Sequence, residues 1–203
     1  MSFFSKKRDA YLERGVDPAR VPPGQYLTDR FPVLHAGATP KVDLDTWDFR
    51  IRGLVDDELS LDYEEFTALP AVERTFDIHC VTKWSKVDTK WRGVPVTELM
   101  DRIVPKPTAT HVLVFAEHGF TANLPLDDFV RPDNLFAWEY DGQPLETDHG
   151  WPLRLVVPHL YFWKSVKWVR GFELLEHDEP GFWERNGYHM RGDPFREQRY
   201  WGD

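Results

Sequence analysis

Cys80 is the one cysteine among 203 residues, so a site built from several thiolates and an internal disulfide are both excluded. Taken alone, a cysteine on the apolar side of a strand is more often a small buried hydrophobe than a ligand. Lys83 and Lys86 follow closely, and neighbouring cations favour the thiolate that metals and electrophiles need. A second concentration of chemistry lies in residues 149–170, where Arg154, Lys164, Lys167 and Arg170 occur without a single carboxylate in a chain carrying 34 acidic residues. These cations either pair with acids from elsewhere or form an anion pocket. Arg154 stands inside the apolar run Leu153-Arg-Leu-Val-Val157, where an unpaired guanidinium is costly and calls for a carboxylate or a bound phosphate. No HExxH, GxGxxG after a strand, P-loop or GxSxG is present, which removes the common zinc, dinucleotide, nucleotide and serine-hydrolase readings. One soft thiolate plus an anion pocket suits a metal carried by a phosphorylated organic ligand that brings most of the coordination sphere itself.

The elements that must position these groups read mainly as strands. Trp47-Asp-Phe-Arg-Ile-Arg52 alternates apolar and polar, and Phe76-Asp-Ile-His-Cys80 repeats the pattern, with Phe76, Ile78 and Cys80 on one face and Asp77 and His79 on the other. His111–Ala116 and Leu153–Val157 read as more buried strands, and Leu135–Tyr140 runs into a turn at Asp141-Gly142. Helices are short: Tyr63–Leu69, and Pro95–Ile103 with its proline in the first turn. The fold class expected is α+β, a β-rich single domain. Residues 1–40 scatter Lys6, Lys7, Arg8, Arg14, Arg20 and Arg30 among Pro18, Pro22, Pro23, Gly24, Pro32 and Pro40, as an extended N-terminal arm would, leaving 41–203 as the body.

Composition sets the outer limits. With 41% hydrophobic and 15% aromatic residues the chain is not disordered. Its net charge of −9 argues against nucleic acid as a partner. No apolar run approaches the ~20 residues of a membrane span and the start lacks the apolar stretch of a secretory signal, so no membrane association and a cytoplasmic location are expected.

Three segments resemble a known family, the molybdopterin-binding oxidoreductases of the sulfite oxidase fold. His79-Cys80-Val-Thr-Lys-Trp-Ser85 with Trp91-Arg-Gly-Val-Pro-Val96 looks like the family's molybdenum-ligating cysteine strand and the tryptophan-glycine turn after it. Asp148-His-Gly-Trp-Pro-Leu-Arg-Leu-Val-Val-Pro158 and Lys164-Ser-Val-Lys-Trp168 look like its two pterin-phosphate signatures. The resemblance implies Cys80 as the thiolate on molybdenum, His149 and Arg154 as the pair gripping the pterin and its phosphate, and Ser165, Val166 and Lys167 as the clamp on the other side. It also implies cofactor contacts from Glu117 and His118, and from Arg30, Phe31 and Val33 in an N-terminal loop.

Two details bear on substrate. Vertebrate and plant sulfite oxidases follow the cysteine with an asparagine and two arginines, whereas this chain has Lys83-Trp84-Ser85, a pattern closer to the bacterial methionine sulfoxide reductases. Trp183-Glu-Arg-Asn-Gly-Tyr188 nevertheless resembles the segment where sulfite oxidases place an active-site tyrosine. The expected protein is a molybdenum-molybdopterin oxidoreductase moving an oxygen atom to or from a small sulfur- or nitrogen-centred substrate. Cys80, Tyr188 and Lys83 are its catalytic candidates, with Arg191 a further cation. No haem is expected, because no CxxCH is present, so electrons would pass through a separate donor or acceptor protein. The alternative is a non-catalytic molybdopterin store or carrier, against which Cys80 speaks.

Overall fold

The computed structural model describes residues 9–203; Lys6, Lys7 and Arg8 of the expected arm lie outside them. Two sheets and a few short helices make up a β-rich α+β architecture. The first sheet is built on β5 (Trp84–Pro95), a strand of 12 residues. Strand β4 (Val72–His79) pairs antiparallel with one edge of it; β1 (Tyr26–Leu27), parallel, and β8 (Leu135–Tyr140), antiparallel, divide the other. Strands β9 (Gln143–Pro144) and β10 (Arg154–Val156) share the far edge of β8. The second sheet runs β3 (Leu59–Asp62), β2 (Asp48–Gly53), β11 (Val169–Leu175), β6 (His111–Ala116), β7 (Thr121–Pro125), antiparallel except where β11 meets β2.

The sequence pattern explains the layering. Phe49 and Ile51 of β2, Val112 and Val114 of β6, and Phe172 and Leu174 of β11 turn one face of the second sheet onto Val94, Phe136 and Leu155 of the first, and all are fully buried. Each such side chain contributes about 1.5–3 kcal/mol by leaving water. The run Leu135-Phe-Ala-Trp138 lacks alternation because both faces of β8 are covered: Phe136 and Trp138 enter the inter-sheet core, while Leu135 and Ala137 join a second cluster with Ile78, Cys80, Val156, Tyr161 and Trp163. The site lies on that second face.

Several expected boundaries move. The Trp91-Arg-Gly turn is no turn: β5 runs straight through it with a register shift between Arg92 and Gly93, and a Cβ on Gly93 would overlap the Phe136 carbonyl of β8. Only glycine lets the two backbones approach there. Pro95 closes β5 and caps the helix Val96–Met100 rather than entering its first turn. The other helix spans Tyr63–Thr67, fixed by a reciprocal cap in which Asp62 accepts from the Glu65 amide and Glu65 from that of Asp62. Within the arm, Tyr26 and Leu27 add a parallel strand beside the cysteine turn, with the Tyr26 amide donating to the Lys83 carbonyl at 2.8 Å. No helix among the described residues is long and apolar enough to cross a membrane.

Candidate functional site

A turn between β4 and β5 carries Cys80. Its backbone closes through the Cys80 amide to the Trp84 carbonyl (2.8 Å) and the Lys83 amide to the Cys80 carbonyl (3.0 Å), with Lys83 at φ 76°. Side chains from outside the turn hold two of its carbonyls. Gln25 Nε2 donates to the Cys80 oxygen (3.0 Å) and Arg199 Nη1 to that of Val81 (2.6 Å). The Thr82 hydroxyl donates to Cys80 Sγ at 3.1 Å. Burial pushes the thiol above its ordinary pKa, while Thr82 and the charge of Arg199 pull the other way. The lysines expected to favour the thiolate do not do so: the Lys83 side chain is exposed and outside the cavity, and Lys86 donates to the Asp29 carbonyl.

The sulfur faces a cavity of about 260 Å³ whose opposite wall is basic. Leu153, just before β10, and Leu155 within it point into the inter-sheet core and Arg154 therefore points the other way, into the cavity. Arg154 is buried. Its Nη atoms donate to the carbonyls of His149 (2.7 Å) and Ser165 (2.9 Å), its guanidinium lies 4.3 Å from the Phe162 ring centre, and Nε has no partner. With no carboxylate in reach among the described residues, desolvation pushes its pKa down to about 9. Beside it, Lys167 donates to the Asp148 carbonyl (2.8 Å), and desolvation together with the charge of Arg154 brings it down to about 7. Gly150, at φ 117°, leaves space between them: a Cβ there would come within 3.0 Å of Arg154 Cβ and 3.3 Å of Lys167. His149 stacks on Phe31 (4.0 Å, 20°), with Nε2 3.1 Å from the Phe31 carbonyl.

The four cations of residues 149–170 thus divide. Lys164 is fully buried in an ion pair with Glu184 (2.6 Å), and Arg170 pairs with Glu117 (2.8 Å) and Asp48. Arg154 and Lys167 keep an uncompensated charge facing the cavity, an arrangement that fits an anion. Among the described residues no three His, Cys, Asp or Glu side chains converge to hold a metal, so Cys80 offers a metal one ligand and a bound group would supply the rest.

Of the other sequence candidates, Phe31, Val166 and Tyr188 line the cavity, as does Ser165, although its hydroxyl accepts from the Val157 amide and is turned to the backbone. Tyr188 packs on Trp163 (5.1 Å) and Trp183 (4.9 Å). Glu117 is engaged by Arg170, and neither it nor the exposed His118 reaches the cavity. Arg30 and Val33 are exposed and do not line the cavity, and the wall of that loop is instead Phe31, Pro32, Leu34, His35 and Ala36. Arg191 is bound to Asp128 (2.7 Å). Trp84 supplies the apolar wall that its place after the cysteine suggested, whereas sequence reasoning missed Thr82, legible only as a hydroxyl two residues past the cysteine, and the further aromatic lining of Phe162, Trp163 and Trp183.

The profile described as oxidoreductase molybdopterin binding domain matches residues 36–183. The chain is 49% identical over 185 residues to the uncharacterized oxidoreductase YuiH of Bacillus subtilis (strain 168), covering 91% of this chain and 93% of that one. It is 34% identical over 157 residues to the protein-methionine-sulfoxide reductase catalytic subunit MsrP of Gluconobacter oxydans (strain 621H), covering 68% of this chain and 50% of that one, so it spans about half of that relative. The crystal structure of the sulfane dehydrogenase SoxCD from Paracoccus pantotrophus superposes with a TM-score of 0.65 at 21% identity, over 71% of this chain and 42% of that one, a likeness of fold.

Proposed function

The chain belongs to the molybdopterin-binding oxidoreductases, and from that premise we propose that it removes an oxygen atom from a small neutral sulfoxide or amine N-oxide. The observation that carries the reading is the pairing across one cavity of a lone thiol with two cations that lack carboxylate partners. The orphaned Nε of Arg154, the space kept by Gly150 and the single soft donor all fit a phosphorylated pterin that brings its own metal ligands. Arg154 and Lys167 would hold the phosphate, the stacked Phe31 and His149 rings would flank the pterin, and Cys80 would ligate molybdenum. When bound, the molybdenum pterin supplies two-electron oxygen-atom-transfer chemistry.

The chain's own residues do the rest. Trp84, Trp163 and Trp183 wall the approach to Cys80 with apolar surface, which excludes water and suits an uncharged substrate better than sulfite. Tyr188 reaches the same space. Burial, with the nearby Tyr200 and Cys80 charges, raises its pKa, so its Oη keeps a proton to donate to the substrate oxygen. The name of the Gluconobacter relative supports a sulfoxide. Electrons would come from a separate protein. Steady-state assays with an artificial electron donor or acceptor, comparing sulfoxides and N-oxides with sulfite, test the reading. Sulfoxide or N-oxide turnover that Cys80→Ser abolishes is expected; efficient sulfite oxidation with sulfoxides and N-oxides inert would refute it.

A further inference from the structure

Arg199 carries the C-terminal segment to the backbone of the cysteine turn. Arg199 is buried, although it lies 16 residues beyond the matched family region. Its Nη1 donates to the Val81 carbonyl at 2.6 Å, Nη2 lies 3.4 Å from the Pro23 carbonyl, and the guanidinium sits 4.9 Å from the centre of the Tyr161 ring. Its backbone faces the other way. The Arg199 carbonyl accepts from the His189 amide (3.2 Å), and Tyr200 pairs with Tyr188 as an isolated antiparallel bridge. One residue therefore ties the turn carrying Cys80 to the segment carrying Tyr188.

We infer that Arg199 is a positioning residue that fixes the Cys80 turn through the Val81 carbonyl and sets a positive potential at the sulfur. The Val81 carbonyl belongs to the peptide whose Thr82 amide faces the Cys80 sulfur, so a guanidinium on that oxygen polarises the peptide and adds positive potential on the sulfur side. Residues behind the direct ligands commonly tune metal affinity or activity by 10- to 100-fold in this way. Among the described residues the one carboxylate paired with Arg199 is Glu197, at 3.8 Å and half exposed, so most of the cation's charge is left to act on the turn. The consequence at the metal rests on Cys80 being the ligating thiolate, but the potential at the sulfur does not.

Because Cys80 is the sole cysteine, its alkylation reports that potential without ambiguity. In the cofactor-free full chain, the ratio of the rates with iodoacetate and iodoacetamide compares an anionic with a neutral reagent of similar size. Arg199→Gln keeps a donor for the Val81 carbonyl and should lower the ratio by about threefold or more, whereas Arg199→Lys should stay within about twofold of the parent. Glu197→Gln, at an exposed position that leaves packing alone, should raise it. The inference is overturned by a parent-like ratio in Arg199→Gln, by an equal loss in Arg199→Lys, or, should the arginine variants not fold, by a Glu197→Gln ratio that fails to rise. A protein that never carries molybdenum would defeat the proposed function while leaving this result standing.

Discussion

Replacing Arg154 with methionine should change the cofactor-free chain little and the cofactor-loaded protein a great deal. In the cofactor-free chain the guanidinium is buried without a counter-ion. Its displacement from 12.5 to about 9 corresponds to about 5 kcal/mol against the charged form. Methionine removes that cost but strands the His149 and Ser165 carbonyls, at about 1–3 kcal/mol each. The two effects largely offset each other, so the melting temperature of the cofactor-free variant should lie within about 12 °C of the parent's, at about 2–4 °C per kcal/mol for a chain of this size. The cofactor-loaded protein should behave differently, since a charge-assisted hydrogen bond to phosphate contributes about 1.5–3 kcal/mol, a 10- to 100-fold loss of affinity. Thermal melts of both forms, with pterin and molybdenum quantified after gel filtration, make the comparison. A variant that keeps its pterin yet melts far below the parent would show that Arg154 serves only the fold.

Other expectations follow from the same electrostatics. Lys167 is half charged near pH 7 in the empty site, and an anion binds its protonated form. Phosphate affinity of the cofactor-free chain should therefore weaken by up to about tenfold per pH unit above 7, and Lys167→Gln should bind weakly with no such slope, as calorimetry would register. Lys164→Met alone should cost about 3–5 kcal/mol in denaturant melts by stranding Glu184, and replacing both partners by apolar residues should recover most of it. His79, buried beside Ser85, has its pKa pushed by desolvation from 6.5 to about 4. The unfolded chain takes the proton first as pH falls, so up to about 3 kcal/mol of stability should disappear between pH 6.5 and 4, a slope that His79→Gln should flatten.

Strands β6 and β8 were legible to the residue because a buried strand between turn signals has few other interpretations. The course of β5 was not. Gly93 reads as punctuation, and only the close approach of β8 gives it a place inside a strand. The basic segment was legible as a local excess of charge, yet the division of labour within it was not. Lys164 ends the tight helical turn Phe162–Lys164 and is directed to Asn123 and Glu184, whereas Lys167, three residues on, emerges beside Gly150. Partners 20 to 40 residues away decide such fates, and one sequence does not pair them. Lys83 failed as a cavity residue for a local reason: the left-handed turn that presents Cys80 and Thr82 inward turns the lysine outward.

What the purified protein holds decides whether Cys80 and the basic wall serve a molybdenum pterin. Expressed in cells that make the molybdenum cofactor, it should carry one molybdenum and one pterin per chain by elemental analysis and fluorescence of the oxidised pterin. Cys80→Ser should retain the pterin with its activity lost, because a hydroxyl is a harder and more basic ligand than a thiolate. A parent protein containing neither molybdenum nor pterin, or a Cys80→Ser variant turning over at the parent's rate, would contradict it.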